Sequence, residues 1–252
     1  MAHAEPVRTW EAVGPSGGPP IVFVHGALMG RAVWRPQIDA LSDRFRCISV
    51  DLPGHGTQRD VPFELDDAAE GVVRAIDAAG GRTVLIGLSL GGYVAMTVAS
   101  RYPEKVRGLV IAGSTREPTG VSRLAFEAYA LALRIAPESA VRTIAFAVFR
   151  RRYGGVVTTA ITAGGHFARG GARAVRRIAG SRFRDRLAAY GGPILVINGT
   201  LDLVFRIGAG RFVAGVPGVT NQVIPRAGHL SNVDRPEVFT ALVEEFISGL
   251  AP

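Results

Sequence analysis

The sequence predicts the α/β class, a doubly wound and mostly parallel sheet carrying one helical insertion, on three observations. Short, continuously apolar runs alternate with longer segments of helical period, the pattern of parallel strands covered on both faces by helices. Residues able to do chemistry stand just after several of these runs, at the carboxyl ends of strands where open α/β sheets build their sites. The chain has 252 residues, 48% of them hydrophobic, enough for one large core.

A first strand is expected over residues 7–13. The turn-rich Gly14-Pro15-Ser16-Gly17-Gly18-Pro19-Pro20 links it to the next. Buried strands are expected at residues 21–24, 46–50, 83–86, 108–111, 194–197 and 222–224, with helices at 33–42, 66–79, 90–101 and 236–248. The alternation breaks between Ile111 and Pro193, where helical period continues without a clear strand. Residues 124–136 and 139–151 read as amphipathic helices separated by Pro137. The pairs Gly164-Gly165 and Gly170-Gly171 are expected to interrupt the helical pattern beyond residue 151. This insertion, residues 115–190, is read as a helical lid inserted after the sixth strand, over a body made of residues 1–114 and 191–252.

Composition narrows the function classes. No apolar run reaches the roughly 18 residues that a membrane-spanning helix needs. The opening Met1-Ala2-His3-Ala4-Glu5-Pro6 has no basic cluster leading into an apolar stretch, so no signal peptide is expected. Cys47 is the only cysteine; it excludes an internal disulfide, reads as a small buried strand residue, and fits a cytoplasmic location. No Cys/His spacing suited to a metal is present, so neither a metal nor an organic cofactor is expected. The formal charge is +8, and 28 of the 29 basic residues are arginine. Residues 115–190 hold 14 Arg against Glu117, Glu127, Glu138 and Asp185, a net of +10 that leaves −2 for the rest. Such asymmetry can steer anionic partners. A plain solvated face accounts for it too, and no nucleic-acid partner is expected.

The central motif is Gly87-Leu88-Ser89-Leu90-Gly91-Gly92, between a predicted strand and a predicted helix. A serine there sits on a sharp, strained turn, its hydroxyl held above the sheet at a helix N-terminus that favours developing negative charge. Serine is a poor nucleophile without a base. Of the five histidines, His3, His25, His55, His166 and His229, His229 comes after the last strand, where it can reach across the sheet to Ser89 and relay its proton. Asp202, after the strand at 194–197, can orient that imidazole, and Ser89, Asp202, His229 is the expected chain order. Asp234 precedes Pro236 and reads instead as a helix cap. For the oxyanion, backbone N–H donors are expected from Leu90 and from Ala27, with Gly26 allowing close approach. His25 offers another base but is read as hydrogen-bonded within its loop.

These stretches resemble the α/β-hydrolase superfamily, and in style its small lidded members: carboxylesterases, cofactor-free haloperoxidase-like enzymes and C–C bond hydrolases. The resemblance rests on His25-Gly26, Asp51-Leu52-Pro53-Gly54-His55-Gly56, Gly87–Gly92, Asn198-Gly199-Thr200-Leu201-Asp202 and Ala227-Gly228-His229. It runs from about residue 20 to the C-terminus, with the lid unmatched. It implies an α/β-hydrolase fold, structural roles for Asp51 and His55, and hydrolysis of an ester or thioester through an acyl-enzyme on Ser89. The same residues also suit C–C cleavage, a biosynthetic acyl-transfer or lactone step, or a slow-turnover binding protein. The substrate is expected to be a small molecule, anionic or carrier-bound in some readings. Three features depart from the pattern: a shortened N-terminal hairpin, Leu203-Val204-Phe205 where a proline-containing loop is common, and an arginine-rich lid. Candidate pocket residues are Trp34, Phe126, Tyr129, Phe146 and His166, with core packing the alternative for the apolar ones.

Overall fold

The computed structural model describes residues 9–251. Seven strands form one sheet: β1 Trp10–Val13, β2 Pro20–Val24, β3 Arg46–Val50, β4 Thr83–Leu88, β5 Val106–Ala112, β6 Ile194–Gly199 and β7 Val219–Ile224, in the order β1-β3-β2-β4-β5-β6-β7. Only β1 is antiparallel, to β3; the other pairs are parallel. Val7 and Arg8, the start of the first expected strand, lie outside the described residues.

The alternation of side chains along each strand divides the core in two. Val22, Val24, Leu85, Leu109, Ile111 and Val196 face one side of the sheet, covered by α2 Leu65–Ala78 and α3 Leu90–Arg101. Ile21, Phe23, Ile86, Val110, Leu195 and Ile197 face the other, covered by α1 Arg35–Leu41 and the final helix, Pro236–Ser248. Every residue of β4 and β6 is buried, which is why these strands read as unbroken apolar runs.

Four helices separate β5 from β6: α4 Gly120–Ile135, α5 Glu138–Ile161, α6 Ala168–Ile178 and α7 Phe183–Tyr190. The insertion therefore comes after the fifth strand of this chain, not the sixth, because among the described residues the N-terminal hairpin is reduced to the single strand β1. The packing of α7 is that of the body: Phe183, Leu187 and Tyr190 join the core beneath α3, and the Tyr190 hydroxyl donates to the Val106 carbonyl.

Gly170 and Gly171 do not interrupt a helix; they lie inside α6. A Cβ on Gly170 would stand 2.0 Å from the Gly54 carbonyl oxygen, and one on Gly171 2.1 Å from that of Ala27. They are glycines because α6 presses on two loops of the body. Beyond β6 come the short helices α8 Leu203–Arg206, α9 Ala209–Val213 and α10 Ser231–Asp234, then α11 Pro236–Ser248.

Candidate active site

Ser89 stands between β4 and α3 with φ 53° and ψ −116°. Left-handed backbone is strained for a residue with a Cβ, by on the order of 1–3 kcal/mol, and persists only where its surroundings enforce it. They do so here. The Ser89 N–H donates to the Ala112 carbonyl at 2.7 Å, and the Ser114 hydroxyl donates to the Ser89 carbonyl at 2.9 Å. A Cβ on Gly91 would lie 2.1 Å from the Val24 carbonyl oxygen, so only glycine lets α3 start so close to β2.

His229 Nδ1 donates to Asp202 Oδ2 at 2.8 Å. The carboxylate can only accept, which puts the ring proton on Nδ1 and leaves Nε2 as the basic nitrogen. Asp202 is buried, while the His229 side chain is 39% exposed, an acid sealed from water behind an imidazole open to it. The two loops are interlocked: the Leu201 N–H donates to the Ala227 carbonyl at 2.8 Å, and the Thr200 N–H to that of Ile224 at 3.0 Å. The Ala112–Gly113 segment adjoins both the Ser89 backbone and the His229 imidazole. Its Ala112 carbonyl holds the Ser89 amide, and a Cβ on Gly113, at φ 58°, would be 2.9 Å from His229 Cε1.

Sequence reasoning missed Phe205. Its ring stacks on the His229 imidazole, centroids 4.9 Å apart and planes 21° from parallel. Thr115 Oγ1 donates to the Phe205 carbonyl at 2.6 Å. The loop that lacks the common proline thus supplies a wall for the imidazole. An aromatic three residues after the acid was the available signal.

The loop after β2 carries the other expected donor. His25 Nε2 accepts the Leu52 N–H at 3.0 Å, so the ring proton is on Nδ1, which donates to the Gly26 carbonyl at 2.8 Å. A trans peptide points its C=O and N–H in opposite directions. Anchoring Gly26 O therefore aims the Ala27 N–H away from His25. Burial, and then neighbouring His55, lower the His25 pKa to about 3, so this imidazole stays neutral. His55 Nε2 approaches the Ala27 carbonyl at 2.6 Å, and burial lowers its pKa as well. Asp51 accepts the Arg31 and Thr57 N–H groups at 2.9 and 3.1 Å. All three residues brace loops. The Leu90 N–H, in the first turn of α3, has no intrahelical acceptor by helix geometry.

The expected pocket residues separate. Trp34 is not in a pocket; it is fully buried in the core between Phe23 and Phe239, with ring centroids at 5.2 and 5.9 Å. Phe126, on α4, meets the Tyr93 ring edge-on at 6.3 Å. Tyr129 on α4 is exposed, and Phe146 on α5 is half-buried. His166 is buried at the seam between cap and body, bridged to Met29. Burial lowers its pKa. A cavity of about 680 Å³, lined by Arg31, Arg35, Ser49, Asp51, Ala160 and Gly164 among others, is elsewhere; none of Ser89, Asp202 and His229 lines it.

Asp234 is not a cap either. The residue before α11 is Arg235, with no side-chain capping bond, and the Asp234 carboxylate is engaged by Gly228, Arg152 and Tyr153.

The fold and the strand-end site define the class of this protein, a hydrolase built on the α/β-hydrolase fold. The chain belongs to the alpha/beta hydrolase family, whose profile matches residues 21–242. It is 30% identical to a pimeloyl-acyl-carrier-protein methyl ester esterase of Edwardsiella ictaluri, covering 95% of this chain and 97% of that one. It is 27% identical to 3-oxoadipate enol-lactonase 1 of Acinetobacter baylyi, covering 94% and 91%. Among solved structures, a thermophilic esterase from Thermogutta terrifontis superposes with a TM-score of 0.79 at 26% identity, covering 95% and 92%.

Proposed function

We propose that the protein is a serine hydrolase that cleaves a carboxylic ester or thioester through an acyl-enzyme on Ser89. The observation that carries this reading is the 2.8 Å contact of His229 with buried Asp202, against the same Ala112–Gly113 segment that holds the strained Ser89 turn. Nε2 of His229 takes the Ser89 proton as Oγ attacks the carbonyl carbon. The resulting oxyanion sits between the Ala27 and Leu90 N–H groups. The tetrahedral intermediate collapses, His229 returns the proton to the departing alcohol or thiol, and the acyl group remains on Ser89. Water, deprotonated by His229, attacks that ester; the acid departs and Ser89 Oγ recovers its proton. A lactone is an internal ester and would take the same steps, in keeping with the enol-lactonase relative.

The substrate side of the proposal rests on the cap. Exposed Arg150 and Arg151 and the apolar Leu124, Leu131 and Ile144, all exposed on α4 and α5, suit an acyl chain bearing or attached to negative charge, as a small molecule or on a carrier. A carrier-bound ester is what one relative's name specifies for that protein. The test is a panel of esters and thioesters varied in acyl length and charge. Turnover that favours anionic members and loses that preference in high salt supports the reading. Negligible turnover across the panel contradicts the esterase assignment.

A further inference from the structure

The cap is tied to the loop of the candidate base through one carboxylate. Asp234 Oδ2 accepts the N–H of Gly228, the residue before His229, at 2.5 Å. Asp234 Oδ1 accepts Arg152 Nε at 2.5 Å and the Tyr153 hydroxyl at 2.8 Å, both from α5 of the cap. The Asp234 side chain is only 4% exposed, against 43% for Arg152, so the pair is shielded on the acid's side. A Cβ on Gly228 would lie 3.4 Å from Arg152 Nη2 and 3.2 Å from Asp234 Oδ2; the guanidinium and carboxylate both close on the backbone that presents the imidazole.

The helix immediately after this contact is broken. Gly154 has φ 76° inside α5, with nothing within 4 Å of the place a Cβ would take. Glycine is used there for its backbone freedom, not for space. The break divides α5 into an arm ending at Tyr153 and a short arm anchored by buried Thr158 and Ile161. Arg152 and Tyr153 therefore stand at the end of the first arm, directly against this break.

We propose that Asp234 is a positioning residue that reads the closed cap: when Arg152 and Tyr153 dock on its Oδ1, its Oδ2 holds the Gly228 amide, and His229 is thereby set toward Ser89. This deepens the reading of His229 as base and rests on it. Substrate that brings the cap down would assemble the proton relay at the same time, and an open cap would leave the imidazole less well aimed.

The test uses a small fluorophosphonate, which reports the reactivity of Ser89 and is too small to need the cap for binding. In the full-length protein, Ser89 labelling is compared with that of R152Q/Y153F and D234N, alongside melting temperature and kcat and KM on a short neutral ester. The expected result is labelling slowed tenfold or more in both variants, kcat lowered with KM nearly unchanged, and a melting temperature of R152Q/Y153F within a few degrees of the parent. R152Q/Y153F leaves Asp234 itself in place and changes only exposed and half-exposed positions of α5, so it remains informative if D234N does not fold. Parental labelling rates in folded R152Q/Y153F overturn the coupling while leaving the nucleophile assignment intact. Absence of Ser89 labelling in the parent overturns the nucleophile assignment, and the coupling with it.

Discussion

Phe205 stacks on His229 at 4.9 Å between centroids, while Asp202, three residues before it in the chain, holds the same imidazole by its Nδ1. One short segment thus supplies both the electrostatic partner and the apolar wall of the candidate base. The carboxylate fixes the tautomer and the direction of Nε2; the ring restricts tilting about that bond. An aromatic pair of this kind is worth roughly 0.5–1.5 kcal/mol beyond the area it buries.

Phe205→Leu keeps an apolar side chain and removes the stacking face. The expected outcome is kcat on a short ester lowered about tenfold, the order that ~1.4 kcal/mol represents, with KM little changed. Steady-state kinetics check it; an unchanged kcat would show that the wall is dispensable.

Asp202→Asn should leave the fold intact and lower kcat by about 10⁴, because the amide can stabilise the wrong imidazole tautomer and cannot offset the imidazolium charge. The measurement is kcat beside melting temperature. Retention of a tenth of parental activity would remove Asp202 from the proposed relay.

Gly113→Ala places a methyl group 2.9 Å from His229 Cε1 on backbone at φ 58°. The left-handed conformation alone costs a non-glycine residue about 1–2 kcal/mol. Displacement of the imidazole adds a loss of activity that the modest drop in stability does not explain, expected at 100-fold or more. Parental kinetics in this variant would contradict the placement of His229 against β5.

His25 gives stability a pH dependence of definite sign. In the folded protein burial lowers its pKa to about 3; in the unfolded chain it titrates near about 6.5. Between these values the unfolded state binds a proton that the folded state does not, so stability falls as pH drops through this window and this loss is absent above it. Melting temperature tracked from pH 7 to pH 4 should fall less steeply in His25→Gln than in the parent. Identical slopes would mean that His25 is not held neutral.

Burial raises the Cys47 thiol to about 12, and the thiolate is the reactive form. The native protein should resist thiol reagents at pH 8 and react with one equivalent after denaturation. Rapid labelling of the native protein would contradict the burial of β3.

Much of the fold was legible because its signals are local. The bounds of α3 and α11 match the expected residues 90–101 and 236–248, where a glycine-rich turn and Pro236 mark the starts. Strands buried on both faces announce themselves as apolar runs. What was not legible depends on partners distant in sequence. Gly170-Gly171 resembles a break until Gly54 and Ala27 are seen against it. Trp34 resembles a pocket residue because it comes after the loop expected to hold the oxyanion, but Phe23 and Phe239 enclose it. Asp234 has the sequence position of a cap, yet its partners stand 6, 81 and 82 residues away. Helices α4 and α5 resisted reading for the same reason: they are exposed on much of their surface, so apolar periodicity carried little information about which of their faces is packed.

The central claim is that Ser89 forms an acyl-enzyme. Brief reaction with an activated ester, acid quench and peptide mass analysis test it most directly. One acyl group is expected on the peptide containing Ser89, absent in Ser89→Ala and strongly diminished in His229→Ala. An acyl group on any other residue, or turnover surviving in Ser89→Ala at a tenth of the parental rate, would contradict it.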